Sequence, residues 1–245
     1  MTVEPPLQTT PDPSPSPPRV VAKNPKRNLS LLLLLGLIVV VGLGWLLFSI
    51  YSGFRQSKAT TTAKIDRITA RMNAKKIGIA LVDFDAEYGA FPDKATAAVI
   101  KRQTKSDWTL GVNSSNELFQ QLFAANIAVS EEIFFLNTPW SRKPDDVFAT
   151  EAQALASGEC GFAYISGLSS INDERTPLCV APLEPGKLTF DRDALDGNAV
   201  VLMINTSVIE LPIDKSGHAI VNGMDLFDPR QSFWHGKAPN VKWPK

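Results

Sequence analysis

The chain has 245 residues, of which 25 are basic and 25 are acidic, so its formal net charge is zero. This balance gives no electrostatic reason to expect a nucleic acid as partner, because domains that bind nucleic acids concentrate Lys and Arg on one face. Hydrophobic residues make up 44% of the chain, and residues 52–245 alone are numerous enough to bury the core of one domain.

The first 28 residues form a proline-rich segment without aromatic side chains, which opens with MTVEPPLQTTPDPSPSPP. Such a segment cannot bury enough apolar area to fold, which predicts a disordered tail over 1–28. A plain spacer is one interpretation of this tail, and a ligand for a proline-binding module is the other.

An apolar run without charged residues covers 29–51, shortly after Lys23, Lys26 and Arg27. As a helix, about 22 such residues span roughly 33 Å, enough for the hydrocarbon core of a bilayer. The run is longer than the apolar core of a signal peptide, about 7–15 residues, and no clean small-x-small cleavage site follows it. We therefore expect an uncleaved transmembrane helix in the inner membrane. The basic residues before it favour a cytoplasmic N-terminus, with 52–245 as an extracytoplasmic domain.

Hydrophobic periodicity predicts an amphipathic helix over about 65–88. Gly89 and Pro92 follow it, and both residue types are typical of a helix end. We interpret the apolar positions as a single face that packs on the domain core, in preference to a surface for a partner. These positions are Ile65, Ile68, Met72, Ile79, Leu81, Phe84 and Tyr88.

The next segment, 93–112, is polar and poorly patterned, which predicts a loop. Ser114 and Glu117 have the spacing of a capping box and predict a short helix that ends near Ala125. A second short helix, closed by a glycine, is expected within 145–157.

From residue 160 onward, β-branched residues and turn sequences predict strands. We expect 160–165 to pair with 178–181, while 199–205 and 207–213 are two more strands and 218–221 is a short one. Helices that come first in the chain and antiparallel strands that come last indicate the α+β class. The expected fold is thus an N-terminal transmembrane helix and an amphipathic helix packed on a C-terminal antiparallel sheet.

The two cysteines, Cys160 and Cys179, both lie in strand-like contexts of the expected extracytoplasmic domain. A disulfide between them would close a loop of about 19 residues and contribute about 3 kcal/mol. Two buried free thiols are the other interpretation. No CxxC motif accompanies them, so we expect no metal site there.

The segment 79–93, IALVDFDAEYGAFPD, ends the amphipathic helix with an aromatic residue, a glycine and an aromatic–proline pair. In this ending, and in its order of membrane helix, amphipathic helix, loop and antiparallel sheet, the chain resembles type IV pilins and the major, G-type pseudopilins of type II secretion. It is similar above all to the pilin-like membrane proteins of planctomycete and verrucomicrobial bacteria. The resemblance implies a pilin-like fold, a structural or assembly role in a secretion or pilus-like system, and pilin-like or secretion-system proteins as partners.

The chain departs from these families at the start of its membrane helix, where Lys26–Leu33 has the sequence KRNLSLLL. Family members carry a glycine before this helix, at the site that prepilin peptidase cleaves, and a glutamate just inside it. Neither residue is present here. We therefore expect the helix to remain uncleaved in the membrane.

The resemblance also implies a calcium site in the loops of the sheet. Asp191, Asp193 and Asp196 are the candidate ligands, because their carboxylates lie close together in the chain and calcium prefers oxygen ligands. A solvated turn is the alternative interpretation, since aspartate is common in turns. We expect no other metal and no cofactor.

We predict no catalytic site. His218 follows a turn sequence, His235 lies in an irregular segment, and no G-x-S-x-G, phosphate-binding glycine loop or H-E-x-x-H motif occurs. We interpret Glu131 and Glu132 as the start of a helix. We interpret Trp234 and Trp243 as edge packing, in preference to an exposed binding patch.

Two functions are open from the sequence. The first is a single-pass membrane protein with a structural or assembly role, which contacts membrane lipid and other pilin-like subunits. The second is an anchored extracytoplasmic domain that binds or senses a ligand, with the proline-rich tail contacting a cytoplasmic partner. A hydrolase would require a cleft around His218.

Overall fold

The computed structural model describes residues 25–245, with side chains over 34–52 and 61–245. Most of the predicted tail, residues 1–24, lies outside the described residues. The chain divides into two compact units, Met1–Phe54 and Arg55–Lys245, and each has its own features.

The first unit contains the apolar part of helix α1, whose bounds are Pro25–Tyr88. Within it, Leu34–Ser52 is 19 residues long, and none of its most apolar window is buried in the protein. This segment is long and apolar enough to cross a membrane. Both a membrane anchor and a signal sequence have these properties.

The second unit begins with the remainder of α1, which ends where the sequence predicts. Gly89 has a φ of +78°, and its backbone N–H donates to the carbonyl oxygen of Asp85 at 2.7 Å. A positive φ is readily adopted by glycine because it has no Cβ. The chain therefore leaves the helix at this residue and turns back along the domain.

Two further helices follow, and one of them was not predicted. Helix α2, Lys94–Thr104, occupies the segment expected to be a loop, so that prediction is wrong. It begins with a capping box in which Asp93 accepts from the backbone of Thr96 while the Thr96 hydroxyl accepts from the backbone N–H of Asp93. Helix α3, Ser115–Ala124, confirms the other prediction, with Ser114 as its N-cap.

The helix expected within 145–157 is absent. Residues 145–148 have irregular backbone, and bends and turns follow to residue 157. Leu155 has a φ of +47°, which interrupts a helix of L-residues. The backbone is held by side chains from elsewhere: Asn116 donates to the carbonyl oxygen of Leu155 at 2.7 Å, and Gln120 donates to that of Ala154 at 2.7 Å.

The second half of the chain forms an antiparallel sheet of five strands in the order β4-β3-β2-β1-β7, and a separate hairpin of β5 and β6. The pairing predicted between the first two strands is confirmed, with Tyr164 opposite Cys179. The chain is therefore α+β, with an N-terminal apolar helix and a C-terminal antiparallel sheet. The strands are β1 Ala163–Ile165, β2 Pro177–Ala181, β3 Asn198–Met203, β4 Val208–Pro212, β5 Ile220–Val221, β6 Met224–Asp225 and β7 Val241–Lys242.

The inner strands β1, β2 and β3 are buried on both faces of the sheet. Successive side chains of a strand point to opposite sides, so each of these strands contributes to two cores. One face packs with the three helices in a single apolar core, and the other packs under the chain segments that follow β4. In β3, for example, Val200 and Leu202 belong to the helix-side core and Val201 to the opposite core.

Helix α1 packs on the sheet through small residues and a few polar anchors. A Cβ at Gly78 would lie only 2.9 Å from Cδ1 of Leu202, so the helix backbone comes close to β3. Asn73 donates to the carbonyl oxygens of Glu132 and Phe135 at 3.0 and 3.1 Å. These contacts fix which side of the helix faces the sheet.

Candidate interaction surface

Helix α1 has two apolar faces in the second unit, and the sheet covers only one of them. The covered face consists of Ala70, Ala74, Ile77, Leu81 and Phe84, all of which are buried. On the opposite side, five large apolar side chains remain between 42% and 58% exposed. We call these five the apolar stripe: Ile65, Ile68, Met72, Ile79 and Val82.

The prediction that the apolar positions of this helix form a single core-facing side is therefore wrong for four residues. Leu81 and Phe84 do pack in the core. The exposed ones are Ile65, Ile68, Met72 and Ile79.

The stripe has the spacing of a helix–helix interface. Its members alternate steps of three and four residues, with one step of seven, as do the a and d positions of a heptad repeat. Lys75 occupies the position that interrupts the pattern. Its ammonium group donates to the backbone oxygen and the hydroxyl of Thr206 at 3.0 and 3.2 Å. The charge is thus held beside the sheet and the alkyl stem lies along the helix surface.

A groove lies next to the stripe. It has a volume of about 490 Å³, between α1 and the turn that joins β3 to β4. Apolar and basic side chains both line it, so it suits an apolar side chain accompanied by a carboxylate. The lining residues are Ile68, Arg71, Met72, Lys75, Thr206, Ser207 and Val208.

Charge changes sign along this part of α1. The first half carries basic residues and the last turns carry acidic ones. Arg67 is already paired within the domain, at 3.3 Å from Asp196 and 3.4 Å from Glu210. Residues with exposed charge that flank the stripe are Lys64, Arg71 and Lys76 in the first half, and Asp83 and Glu87 in the second.

The three aspartates predicted to bind calcium lie in and around one turn, and two of their carboxylates have partners in the domain. Asp191 accepts from the backbone N–H of Asp193 at 2.9 Å. Asp196 accepts from Arg67 at 3.3 Å. Among the side chains described here, a different acidic group, Glu131, Asp145 and Glu159, brings three carboxylates together.

The two cysteines are free thiols in the structure, and both are buried. The predicted disulfide is therefore not formed in it. The strand register gives a reason, because Cys179 lies opposite Tyr164 while Cys160 precedes β1. The Cys160 sulfur instead contacts the hydroxyl of Ser115 at 3.6 Å.

His218 follows a turn and His235 lies in one. His218 Nδ1 lies 2.6 Å from Oδ2 of Asp225 across the β5–β6 hairpin, and its side chain is 40% exposed. Four grooves on the described residues lie beside Met72, His235, Trp108 and Glu117, and His218 lines none of them. His235 has a φ of +49° and borders a cleft of about 220 Å³.

The remaining sequence candidates lie at a turn and in packed positions. Glu131 starts a short 3-10 turn, Glu131–Phe134, as predicted for a helix start. Trp234 is buried, and its indole N–H donates to the carbonyl oxygen of Leu226 at 2.7 Å. Trp243 donates to the carbonyl oxygen of Lys187 at 2.7 Å, which agrees with edge packing.

No family model, no curated protein and no solved structure matches this chain. The role of the chain is therefore inferred from its own residues.

Proposed function

We propose that this chain is a single-pass membrane-anchored, pilin-like structural or assembly protein, whose apolar stripe binds the same stripe on another copy. The observation that carries the proposal is the exposed heptad-spaced stripe on α1. Contiguous exposed apolar surface on a helix is typical of an interaction site. The apolar segment Leu34–Ser52 supports the anchor.

Burial of the apolar stripe in an interface between two copies would contribute favourably to the free energy of association. Each of its five side chains is about half exposed, so burying one contributes about 1 kcal/mol before the costs of association are subtracted. An ordered array of anchored copies lowers these costs, since anchoring already restricts the copies to one surface.

The charges beside the stripe discriminate between alignments of two parallel helices. Copies anchored at their N-terminal ends enter the membrane in the same direction, which favours the parallel arrangement. In register, the basic Arg71 would lie beside the basic Lys76 of a second copy on both sides of the helix pair. Like charges in these positions destabilise a helix pair. In-register pairing is therefore unfavourable.

A shift of two heptads removes these conflicts. It moves one copy by 14 residues, about 21 Å along the helix axis. Ile65 then lies opposite Ile79 of the second copy and Ile68 opposite its Val82, while Lys64 approaches its Asp83. We therefore propose a staggered assembly, in which the basic half of one stripe meets the acidic half of the next. Because both copies are anchored in one bilayer, a displacement of about 21 Å along the axis requires these helices to run nearly parallel to the membrane surface.

Disulfide cross-linking between full-length copies tests this proposal. Two differently tagged chains, one with Ile65→Cys and one with Ile79→Cys, are expressed together in membranes and oxidised. We expect a mixed dimer, because the stagger brings these two positions together, and little dimer of Ile65→Cys with itself. The native cysteines are buried, so the unmodified chain serves as background.

Ile171→Cys is the matched control, since Ile171 is 93% exposed and lies in the loop between β1 and β2, outside α1. It should give no more dimer than the unmodified chain. Equal cross-linking at Ile171 and Ile79 would contradict a specific interface. Cross-linking of Ile65 with Ile65 alone would support association through the stripe but exclude the stagger.

A further inference from the structure

Three acidic side chains from separate segments converge beside the turn that follows α3. They are Glu131, at the start of the 3-10 turn, Asp145 in the next loop, and Glu159 ahead of β1. One carboxylate oxygen from each lies within 4.8 Å of the others. Glu131 and Glu159 are fully buried, whereas Asp145 is exposed. The cluster thus has a closed side and an open side.

Backbone donors hold all three carboxylates in place. Leu155 N–H donates to Glu131 Oε1 at 2.5 Å, and Ala156 N–H donates to Glu159 Oε2 at 2.8 Å. Asp145 Oδ1 accepts from the backbone N–H of Val147 at 3.0 Å in the same way. Rigidly positioned ligands of this kind are a property of preorganised binding sites.

The other oxygens of the two buried glutamates have no hydrogen-bond partner. This holds for Glu131 Oε2 and for Glu159 Oε1. Arg142 Nη2 lies 3.0 Å from Glu159 Oε1, but the contact lacks the geometry of a hydrogen bond. Buried carboxylates without partners are costly. Glu131 Oε2, which has neither a hydrogen bond nor an ion pair, therefore indicates a further cation.

The electrostatic surroundings agree with this indication. Asp146 adds a fourth carboxylate beside the three, because its Oδ1 accepts from the backbone N–H of Glu131 at 2.8 Å. Among the described residues, the basic side chain that forms an ion pair with this cluster is that of Arg142, and it is 56% exposed. One guanidinium does not balance three carboxylates.

We propose that Glu131, Asp145 and Glu159 bind one calcium ion. The ligands are all oxygens, which hard cations prefer over the nitrogen and sulfur ligands of transition metals. Calcium–oxygen distances are about 2.4 Å, so two oxygens on opposite sides of the ion lie about 4.8 Å apart. The spread of the three oxygens fits this limit. Water completes the coordination on the exposed side of Asp145.

Several carboxylate ligands in an irregular arrangement favour calcium over magnesium. Magnesium demands a near-ideal octahedron and keeps most of its waters, whereas calcium accepts several carboxylates in irregular geometry. The site lies between α3 and β1, and is separate from the turn that contains Asp191. Ion binding would hold together the three segments that contain Glu131, Asp145 and Glu159. The loop before Glu159 is also fixed to α3, since its carbonyl oxygens accept hydrogen bonds from Asn116 and Gln120.

Thermal unfolding and calorimetry of the full-length protein in detergent test the site. The protein is first stripped with EDTA and then titrated with calcium chloride alone. We expect one ion per chain, together with a rise of several degrees in Tm, because a ligand that binds only the folded state stabilises it. Magnesium at the same concentration should give a smaller rise. No change in Tm and no binding heat would overturn the proposal.

Glu131→Gln isolates the role of the carboxylate. This variant keeps the shape of the side chain, so its Tm in EDTA should equal or exceed that of the unmodified protein, while its calcium affinity falls at least about tenfold. Glu132→Gln is the matched control, because Glu132 is exposed and lies outside the cluster, and it should keep the full response.

A second variant covers the case in which Glu131→Gln fails to fold. Asp145→Asn changes an exposed member of the same cluster and should also lose the response to calcium. If both folded variants kept it, or if Asp191→Asn abolished it, the assignment to this cluster would be wrong.

Discussion

Tyr164 shows how one buried side chain joins the two halves of the domain. It lies on β1, and its hydroxyl donates to the carbonyl oxygen of Pro92 at 3.1 Å, just beyond the end of α1. Its ring meets that of Phe119 on α3 edge to face, with centroids 5.5 Å apart. Burial raises the pKa of Tyr164 well above its usual value, so the hydroxyl remains a donor at any physiological pH.

The cysteines give a prediction at the same scale. Burial raises the pKa of Cys160 to about 11 and that of Cys179 well above its usual value. Because the thiolate is the reactive form, neither residue should react with iodoacetamide in the folded protein at pH 7.5. After unfolding without a reducing agent, mass spectrometry should find two alkylated cysteines per chain.

The same measurement decides between the two interpretations of the cysteines. A protein that takes up no label until a reducing agent is added would contain the disulfide predicted from the sequence. Addition of dithiothreitol before unfolding is the positive control for complete labelling.

Single residues also show what a sequence can predict about sites. The three aspartates predicted to bind calcium are neighbours in the chain, and Asp196 also forms an ion pair with Arg67. A second carboxylate cluster joins residues 131, 145 and 159, which are distant in the chain. The spacing of these residues in the sequence does not indicate the cluster. The backbone N–H groups of Leu155 and Ala156 position the carboxylates of Glu131 and Glu159.

At the scale of elements, the end of α1 depends on one glycine. Gly89 has a φ of +78°, and a Cβ built there meets nothing within 4 Å. Gly89→Ala should therefore lower the free energy of unfolding by about 1 kcal/mol through backbone conformation alone. Urea unfolding of the full-length protein measures this change.

Gly89→Asn is the control for that prediction, because asparagine tolerates the left-handed region better than alanine. It should cost less than the alanine variant. Equal stability of Gly89→Ala and the unmodified protein would show that the helix end does not require this conformation.

Elements with strong local signals were predictable, and the others depended on distant contacts. The Val- and Ile-rich strands β3 and β4 and the Ser114 cap of α3 are of the first kind. Helix α2 starts with an Asp–Thr capping box inside a polar segment, and only Thr96, Ala97 and Ile100 are buried. Its weak apolar pattern gave no periodic signal.

The interaction surface illustrates the same limit on a larger element. The periodicity of α1 identifies a helix with many apolar positions, but it does not say which of them a sheet will cover. The close approach of Gly78 to Leu202 selects one face. The stripe, opposite to it, then remains exposed.

At the scale of the whole molecule, residues 241–245 connect the sheet to the start of α3. Strand β7 pairs with β1, and the carbonyl oxygen of Trp243 accepts from the backbone N–H of Ser115 at 3.0 Å. Lys245 N–H donates to Asn116 Oδ1 at 2.9 Å, and its ammonium group contacts Glu117. These contacts fasten residues distant in the chain to each other.

The Lys245–Glu117 contact predicts a dependence on pH. Burial alone would raise the pKa of Glu117, but Lys245 and the backbone N–H of Asn113 hold it below 4.5. A lowered pKa in the folded state contributes stability above the unfolded pKa, and this contribution is lost as the pH falls through the folded value. Lys245→Gln should thus cost up to about 1 kcal/mol at pH 7 and almost nothing near pH 2.

Urea unfolding of the full-length protein at both pH values checks this difference. Lys215→Gln, which changes an exposed lysine in the turn before β5, is the control and should have little effect at either pH. A cost of Lys245→Gln that stays the same at low pH would mean that Lys245 acts through packing and not through the charge of Glu117.

The outermost strands of the five-stranded sheet are β4 and β7. A further strand could pair with the sheet at these two edges. Unpaired outer strands promote aggregation unless they are short, charged or broken by proline. Here β7 has two residues and precedes Pro244, while β4 carries Glu210 and ends at Pro212. Polymerisation by β-strand addition is thus disfavoured on both sides. An assembly of the proposed kind would therefore bring copies together without forming cross-β aggregates.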